Sequence, residues 1–235
     1  MATVPPIRMP DRWPAAVVFD MDGLMLDSER VARDLWHLVL REQGYEFSDT
    51  RNDSLVGRSE ADSNGLLSAH FGTAFPVTAV RAVMRARWYE CVASQGLPHK
   101  HGLVELLDFL ASVSLPIAVA TSTERGKALK SLSHLVRRFQ ATAFGDEVTH
   151  AKPAPDLYLL AAERLRTQPE DCLALEDSPA GLAAAQAAGM TTILIPDLVT
   201  PTTLPQFYCQ TLGDVTTWLQ GIAAGRTQGR TVLRY

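Results

Sequence analysis

Cysteine is scarce in this sequence, and no two cysteines have CxxC spacing. Cys91, Cys172 and Cys209 are odd in number and far apart. A disulfide framework is therefore not expected, and free thiols in a reducing cytoplasm are the simple reading. The six histidines show no metal-ligand spacing; His99 and His101, followed by Gly102, are read as part of a hinge. No apolar run reaches the roughly 20 residues of a membrane span. The start of the chain, with Pro5, Pro6, Pro10 and Asp11, has no apolar run of a secretory signal. Basic charge is not in excess: the formal net charge is -4, which argues against a nucleic-acid partner. The four tryptophans are scattered and offer no stacking platform for single strands. Internal repeats and low-complexity segments are absent as well. The expectation is a cytoplasmic monomer with neither nucleic-acid nor membrane partners.

What is present is the balance of an ordinary globular chain, with 46% hydrophobic and 20% charged residues. Its 235 residues allow one large domain, or a core with a smaller insert, that buries enough surface to need no staples. Five short apolar segments end in polar or turn residues: Ala15–Phe19, Pro116–Thr121, Ala141–Phe144, Cys172–Leu175 and Thr191–Ile195. Strands buried on both faces have this pattern and imply a parallel sheet between helices. Helical stripes separate them, one of Leu103, Leu106, Leu107 and Leu110, another of Leu157, Leu160, Ala161 and Leu165. Ala180, Ala184 and Ala188 form a small-residue stripe suited to close packing on a sheet. This order predicts an α/β fold with a doubly wound parallel sheet. Between residues 28 and 98 no buried strand is visible. Val31, Leu35, Leu38 and Val39, then Val80, Val83 and Met84, have helical spacing, so 28–98 is predicted to be a helical cap inserted after the first strand. Residues 1–27 and 99–235 then form the catalytic core. Asp27-Ser28 is read as the cap of the first inserted helix, and Arg81, Arg85 and Arg87 as a solvated face. Residues 1–14 are read as an irregular lead-in, and the tail after Gly221 has no assignment.

The strand ends carry the chemistry. The first ends in Asp20-Met21-Asp22-Gly23. Carboxylates at i and i+2 project together at the carboxyl edge of the sheet, where open α/β folds bind ligands, and Gly23 permits a sharp turn. Two carboxylates delivered by a buried strand need neutralising, and hard oxygen donors suit Mg²⁺. The fourth strand runs into Glu176-Asp177-Ser178-Pro179, a second acidic pair followed by a good helix N-cap and a proline at the first helical position. Alone, that pair could merely favour a helix N-terminus; with Asp20 and Asp22 at the same edge, a metal site is the better account. After the second strand, Thr121, Ser122 and Thr123 offer hydroxyl and N–H donors to phosphate oxygens, although such residues often only cap helices. Lys152, between Ala151 and Pro153, sits on a stiff loop as a fixed positive charge.

These four blocks, in this order, resemble the haloacid dehalogenase-like phosphatase superfamily, in its capped, β-phosphoglucomutase-like subgroup. DMDGLMLDS is similar to the first motif, ATST to the second, the Lys of AKPAP to the third and EDSPAG to the fourth; the match spans roughly residues 15–197. The resemblance implies that Asp20 is a nucleophile forming an aspartyl-phosphate. It implies that Asp22 protonates the leaving oxygen and then activates water, that Thr121 binds the phosphoryl group, and that Lys152 orients Asp20. It further implies Mg²⁺ held by Asp20, the backbone carbonyl of Asp22 and Asp177, with Glu176 nearby or acting through water. Gly23, Ser122, Thr123 and, in the cap, Arg58 are expected to meet the substrate's phosphate and body. The reaction is then Mg-dependent hydrolysis of a small phosphorylated metabolite, a sugar phosphate being the expected class.

Other readings stay open at this point. A phosphosugar mutase shares the core, but it is expected to carry His where Ala32 stands and basic residues where Val56, Glu60 and Glu124 stand; Arg58 and Arg125 could compensate in part. A haloacid dehalogenase needs neither Asp22 nor the Glu176-Asp177 pair. A receiver-like signalling domain resembles the bare core without the long insert, and nothing in the sequence suggests an idle scaffold.

Overall fold

The computed structural model describes residues 7–55, 60–197 and 205–230. In chain order the elements are β1 (Ala16–Phe19), α1 (Ser28–Glu42), α2 (Asp49–Asp53), α3 (Glu60–Phe71), α4 (Val77–Gln95), α5 (Leu103–Ser112), β2 (Ile117–Ala120), α6 (Arg125–Leu132), β3 (Ala141–Ala143), α7 (Asp156–Leu165), β4 (Cys172–Glu176), α8 (Pro179–Ala187), β5 (Thr191–Leu194) and α9 (Leu212–Arg230). They fall into two compact units, Met1–Leu26 with His99–Tyr235, and Asp27–Pro98.

The first unit is built on a five-stranded sheet in the order β3-β2-β1-β4-β5. Every pairing is parallel, with Val17 opposite both Ile117 and Leu173. The doubly wound α/β fold expected from the sequence is thus present. β1, β2 and β4 are buried along their whole length. That explains their unbroken apolar runs, since neither face meets water. Strand ends differ from the sequence reading by about a residue, the usual uncertainty of such boundaries.

The stripe of α5 is buried as expected. On α7 the inward face is Leu157, Tyr158, Ala161 and Ala162, with Leu160 and Leu165 only half-buried beside it. On α8, Gly181, Ala184, Ala185 and Ala188 are buried but Ala180 is exposed. The described part of the unassigned tail, up to Arg230, is helical: it continues α9, whose earlier turns bury Leu212, Val215 and Leu219 and which packs against α5. Trp218 on α9 donates its indole N–H to the carbonyl of Pro10 at 2.8 Å, and Arg8 bridges antiparallel to Tyr208. The described part of the lead-in is thereby anchored to Tyr208 and to α9.

The second unit is wholly helical among the described residues. Its core is Trp36, Val39, Leu40, Leu67, Phe75, Val80 and Met84, and Tyr45, Phe71 and Phe75 make ring contacts of 4.7 to 5.0 Å. Here the sequence stripes were rotated. Val31, Leu35 and Leu38 are half-buried and Val83 is exposed, because Trp36 and Leu40 supply the larger inward surface. Asp27 makes no side-chain cap; its carboxylate pairs with Arg30 at 2.6 Å instead. Nor is Arg81 simply solvated: it donates to Asn64 at 2.7 Å and lies 5.0 Å from the centre of the Trp36 ring.

Candidate active site

A parallel sheet with β1 at its centre brings the carboxyl ends of β2, β1 and β4 side by side. Asp20 directly follows β1, Thr121 directly follows β2, and Glu176 closes β4. Asp20, Glu176 and Asp177 each offer an oxygen within 4.8 Å of the others. Lys152, from the loop before α7, reaches this group from the side. Its Nζ lies 2.5 Å from Asp20 Oδ1 and 2.6 Å from Glu176 Oε1.

Burial makes these charges costly. Asp20 is 7% exposed and Glu176 is fully buried. Burial, only partly offset by Lys152 and reinforced by Glu176 and Asp22, pushes the Asp20 carboxyl up to about 8. Asp177 is raised well above the carboxylate range by burial, then by Asp20 and Glu176, with Asp197 adding to them. Burial alone would lower the Lys152 ammonium, but Asp20 and Glu176 outweigh it and raise it, so the lysine stays charged. One ammonium faces three carboxylates. The deficit of positive charge and the all-oxygen donor set fit a hard divalent cation.

Glu176 has partners of its own. Oε1 accepts from Lys152 and from the Tyr158 hydroxyl at 2.5 Å. Oε2 accepts from the backbone N–H of Asp177 and of Ser178 and from Ser178 Oγ, at 3.1 to 3.3 Å. Ser178 also caps α8, accepting from the Gly181 N–H at 3.1 Å, with Pro179 at the first helical position, as the sequence predicted.

Glycines make room for this packing. Gly23 has φ +82°, and a methyl there would sit 2.1 Å from Asp177 Oδ2, so only glycine admits that carboxylate. A methyl at Gly181 would fall 1.8 Å from Glu176 Oε1.

Asp22 is placed elsewhere than the three-carboxylate group. Its Oδ2 accepts from Thr123 Oγ1 at 2.8 Å, which joins the ends of β1 and β2. Thr121 is buried and its hydroxyl accepts from the Thr123 N–H at 3.0 Å; Ser122 is exposed. Arg58 lies outside the described residues. The sequence reading missed Tyr158, Asp197 and Lys100 here. Tyr158 touches both Lys152 and Glu176. Asp197, after β5, pairs with Lys100 at 2.5 Å and has an oxygen 3.4 Å from the point a Gly23 methyl would occupy. Tyr158 stands six positions after Lys152, in the first turn of α7, so a search of the helix that follows the lysine could have found it; Asp197 had no local signal.

This arrangement, a carboxylate and lysine with clustered acids at the carboxyl edge of a parallel sheet, defines a hydrolase of one family. A model of haloacid dehalogenase-like hydrolases matches residues 14–189, and the chain belongs to that family. It is 32% identical to a phosphorylated carbohydrates phosphatase of Thermotoga maritima, over 76% of this chain and 83% of that one. It is 34% identical to the fructose-1-phosphate phosphatase YqaB of Escherichia coli, over 76% of this chain and 95% of that one. Among solved structures it is similar to a putative beta-phosphoglucomutase from Thermotoga maritima, with TM-score 0.76 and 26% identity, over 88% of this chain and 98% of that one. No described helix is long and apolar enough to cross a membrane.

Proposed function

We propose that the chain is a Mg²⁺-dependent phosphohydrolase that acts on a small phosphorylated metabolite, a sugar phosphate above all, through an aspartyl-phosphate at Asp20. The observation that carries this reading is the Asp20 carboxylate, fixed by the Lys152 ammonium 2.5 Å away at the carboxyl end of β1. Lys152 holds Asp20 in one orientation and lowers the cost of its charge in a buried site. The carboxylate oxygen attacks phosphorus, and the bond from phosphorus to the leaving oxygen breaks as Asp22 supplies that oxygen with a proton. Asp22 then takes a proton from the water that releases phosphate and regenerates Asp20. Thr121 and the donors of Ser122 and Thr123 hold the phosphoryl oxygens. Asp20, Asp177 and the Asp22 carbonyl would hold the cation, with Glu176 nearby; when bound, it offsets the negative charge gathered by carboxylates and phosphoryl group. The helical unit 28–98 acts as the cap that selects the substrate, with Arg58 as a candidate contact.

The names of the relatives favour phosphorylated carbohydrates, while the structural likeness to a putative mutase keeps that reaction as the second reading. A phosphate-release screen tests both. It should include fructose 1-phosphate, glycerol 3-phosphate and β-glucose 1-phosphate, the last with and without catalytic bisphosphate. Hydrolysis that requires Mg²⁺ and is lost in Asp20→Asn supports the proposal. Glucose 6-phosphate forming much faster than free phosphate would establish the mutase, and absence of any turnover would leave phosphoryl acceptance without release, as in a signalling domain.

A further inference from the structure

Tyr158 is the largest fully buried side chain of the first unit, yet its hydroxyl is turned into the charge cluster and not toward a main-chain carbonyl. The hydroxyl donates to Glu176 Oε1 at 2.5 Å, the same oxygen that takes Lys152 Nζ at 2.6 Å. The ammonium also lies 3.3 Å from the Tyr158 hydroxyl and 4.9 Å from the ring centre. Lys152 is therefore shared by two carboxylates, Asp20 and Glu176, at nearly equal distances. On the proposed reading, only Asp20 of the two reacts.

We propose that Tyr158 is a positioning residue that biases the shared Lys152 toward Asp20 by holding Glu176 as an already hydrogen-bonded counter-ion. This rests on the reading of Asp20 as nucleophile. A carboxylate oxygen that already accepts a short hydrogen bond from a phenol is a weaker acceptor for a second donor. Oε2 is occupied by two backbone N–H groups and Ser178 Oγ, so Glu176 cannot turn to meet the lysine with its other oxygen. With the phenol in place, Glu176 draws less on the ammonium, and Asp20 keeps its partner and its orientation. Without it, Glu176 competes for Lys152 and Asp20 is held less well. Tyr158 is fully buried and meets no solvent; it acts through Glu176 and Lys152. The same arrangement gives Glu176 a role distinct from that of Asp177. Glu176 is the fixed partner of the lysine, and its proton acceptors are already used by the protein.

The test is Tyr158→Phe, which keeps the ring and removes only the hydroxyl, set beside Glu176→Gln and the double variant. Turnover of p-nitrophenyl phosphate and of fructose 1-phosphate is measured at saturating Mg²⁺, Mg²⁺ affinity by calorimetry, and folding by thermal denaturation. The expected result is a kcat roughly tenfold lower in Tyr158→Phe, the scale of one hydrogen bond to a charged group. KM and Mg²⁺ affinity should change less than about twofold, with the melting midpoint nearly kept. In the Glu176→Gln background the added loss from Tyr158→Phe should largely vanish, because the phenol then has no carboxylate to act through. An unchanged kcat overturns the proposal. So does a loss of activity matched by a loss of stability or of Mg²⁺ affinity, or an equal cost in both backgrounds. Asp20→Asn in parallel separates this from the nucleophile assignment: if that variant retains turnover, the underlying reading has failed, whatever Tyr158→Phe does.

Discussion

Gly181→Ala looks harmless in sequence and should not be. Position 181 lies in the first turns of α8, where alanine ordinarily improves a helix by about 1 kcal/mol over glycine. The methyl group, however, would fall 1.8 Å from Glu176 Oε1, 2.0 Å from its Cδ and 2.2 Å from Oε2. Those atoms cannot yield cheaply. They are fully buried and tied to Lys152, Tyr158, Ser178 and two backbone N–H groups. Displacing one partner of a buried ion pair costs about 3–5 kcal/mol, so after the helix gain the net destabilisation is about 2–4 kcal/mol. For a chain of this size each kcal/mol lowers the melting midpoint by about 2–4 °C. Turnover should fall by at least a hundredfold, on the order of 3 kcal/mol in the barrier, because Lys152 loses its second anchor. The internal comparison is Gly65→Ala in α3, where nothing lies within 4 Å of the added methyl and φ is not positive; it should gain roughly 0.5–1 kcal/mol. Urea denaturation and a phosphate-release assay on both variants decide the matter. A Gly181→Ala protein as stable and active as wild type would show that Glu176 has room to move, and the packing argument would be wrong.

Asp177→Ala should raise the Mg²⁺ concentration needed for half-maximal activity by tenfold or more, and excess chelator should abolish wild-type turnover; full activity in chelator would remove the metal from the reading. Asp20→Asn should abolish turnover, and a variant within about tenfold of wild type, a barrier change of only ~1.4 kcal/mol, would refute the nucleophile. Burial raises the Cys172 thiol to about 11, so the folded chain holds that proton while the unfolded chain releases it near the ordinary value of 9.0. Stability from this group is intact below about pH 9 and lost as the pH climbs toward 11. In thiol labelling at pH 8, Cys91 should react in the native protein while buried Cys172 and Cys209 wait for denaturant; equal rates for all three would contradict their burial.

The sheet was legible because its chemistry is local. β1, β2 and β4 lie inside the sheet with both faces covered, and such strands must be apolar along their length, so AVVF, IAVA and CLALE announce themselves. Asp20, Thr121 and Glu176 were found by the same logic, as polar residues where a buried run stops. Faces of helices were read less well. On α7 the large aliphatics Leu160 and Leu165 drew the stripe away from Tyr158 and Ala162, which are buried alongside Leu157 and Ala161. Periodicity weighs hydrophobicity, and a tyrosine whose hydroxyl is satisfied inside scores no better than one in water. The C-terminal helix was hidden for another reason: its inward stripe of Leu212, Val215 and Leu219 is confined to its first turns, and the segment after Gly221, rich in Gly, Arg and Thr, carries no such stripe.

Acids around Lys152 show a harder limit. Asp20 and Glu176 both read as strand-end carboxylates, and only the resemblance of their motifs to a family sets a nucleophile apart from a neighbouring acid. What separates them is their surroundings: Tyr158, 18 positions away from Glu176, and Ser178 with its neighbouring N–H groups occupy Glu176. Asp20 receives a hydrogen bond from a single side chain, Lys152. A buried carboxylate given many donors is held in place and spent on structure. One given a single donor keeps lone pairs for a cation and for phosphorus. On the proposed reading, the division of labour between two chemically similar acids is set by residues that carry no charge of their own, and their placement becomes visible only when the chain is folded.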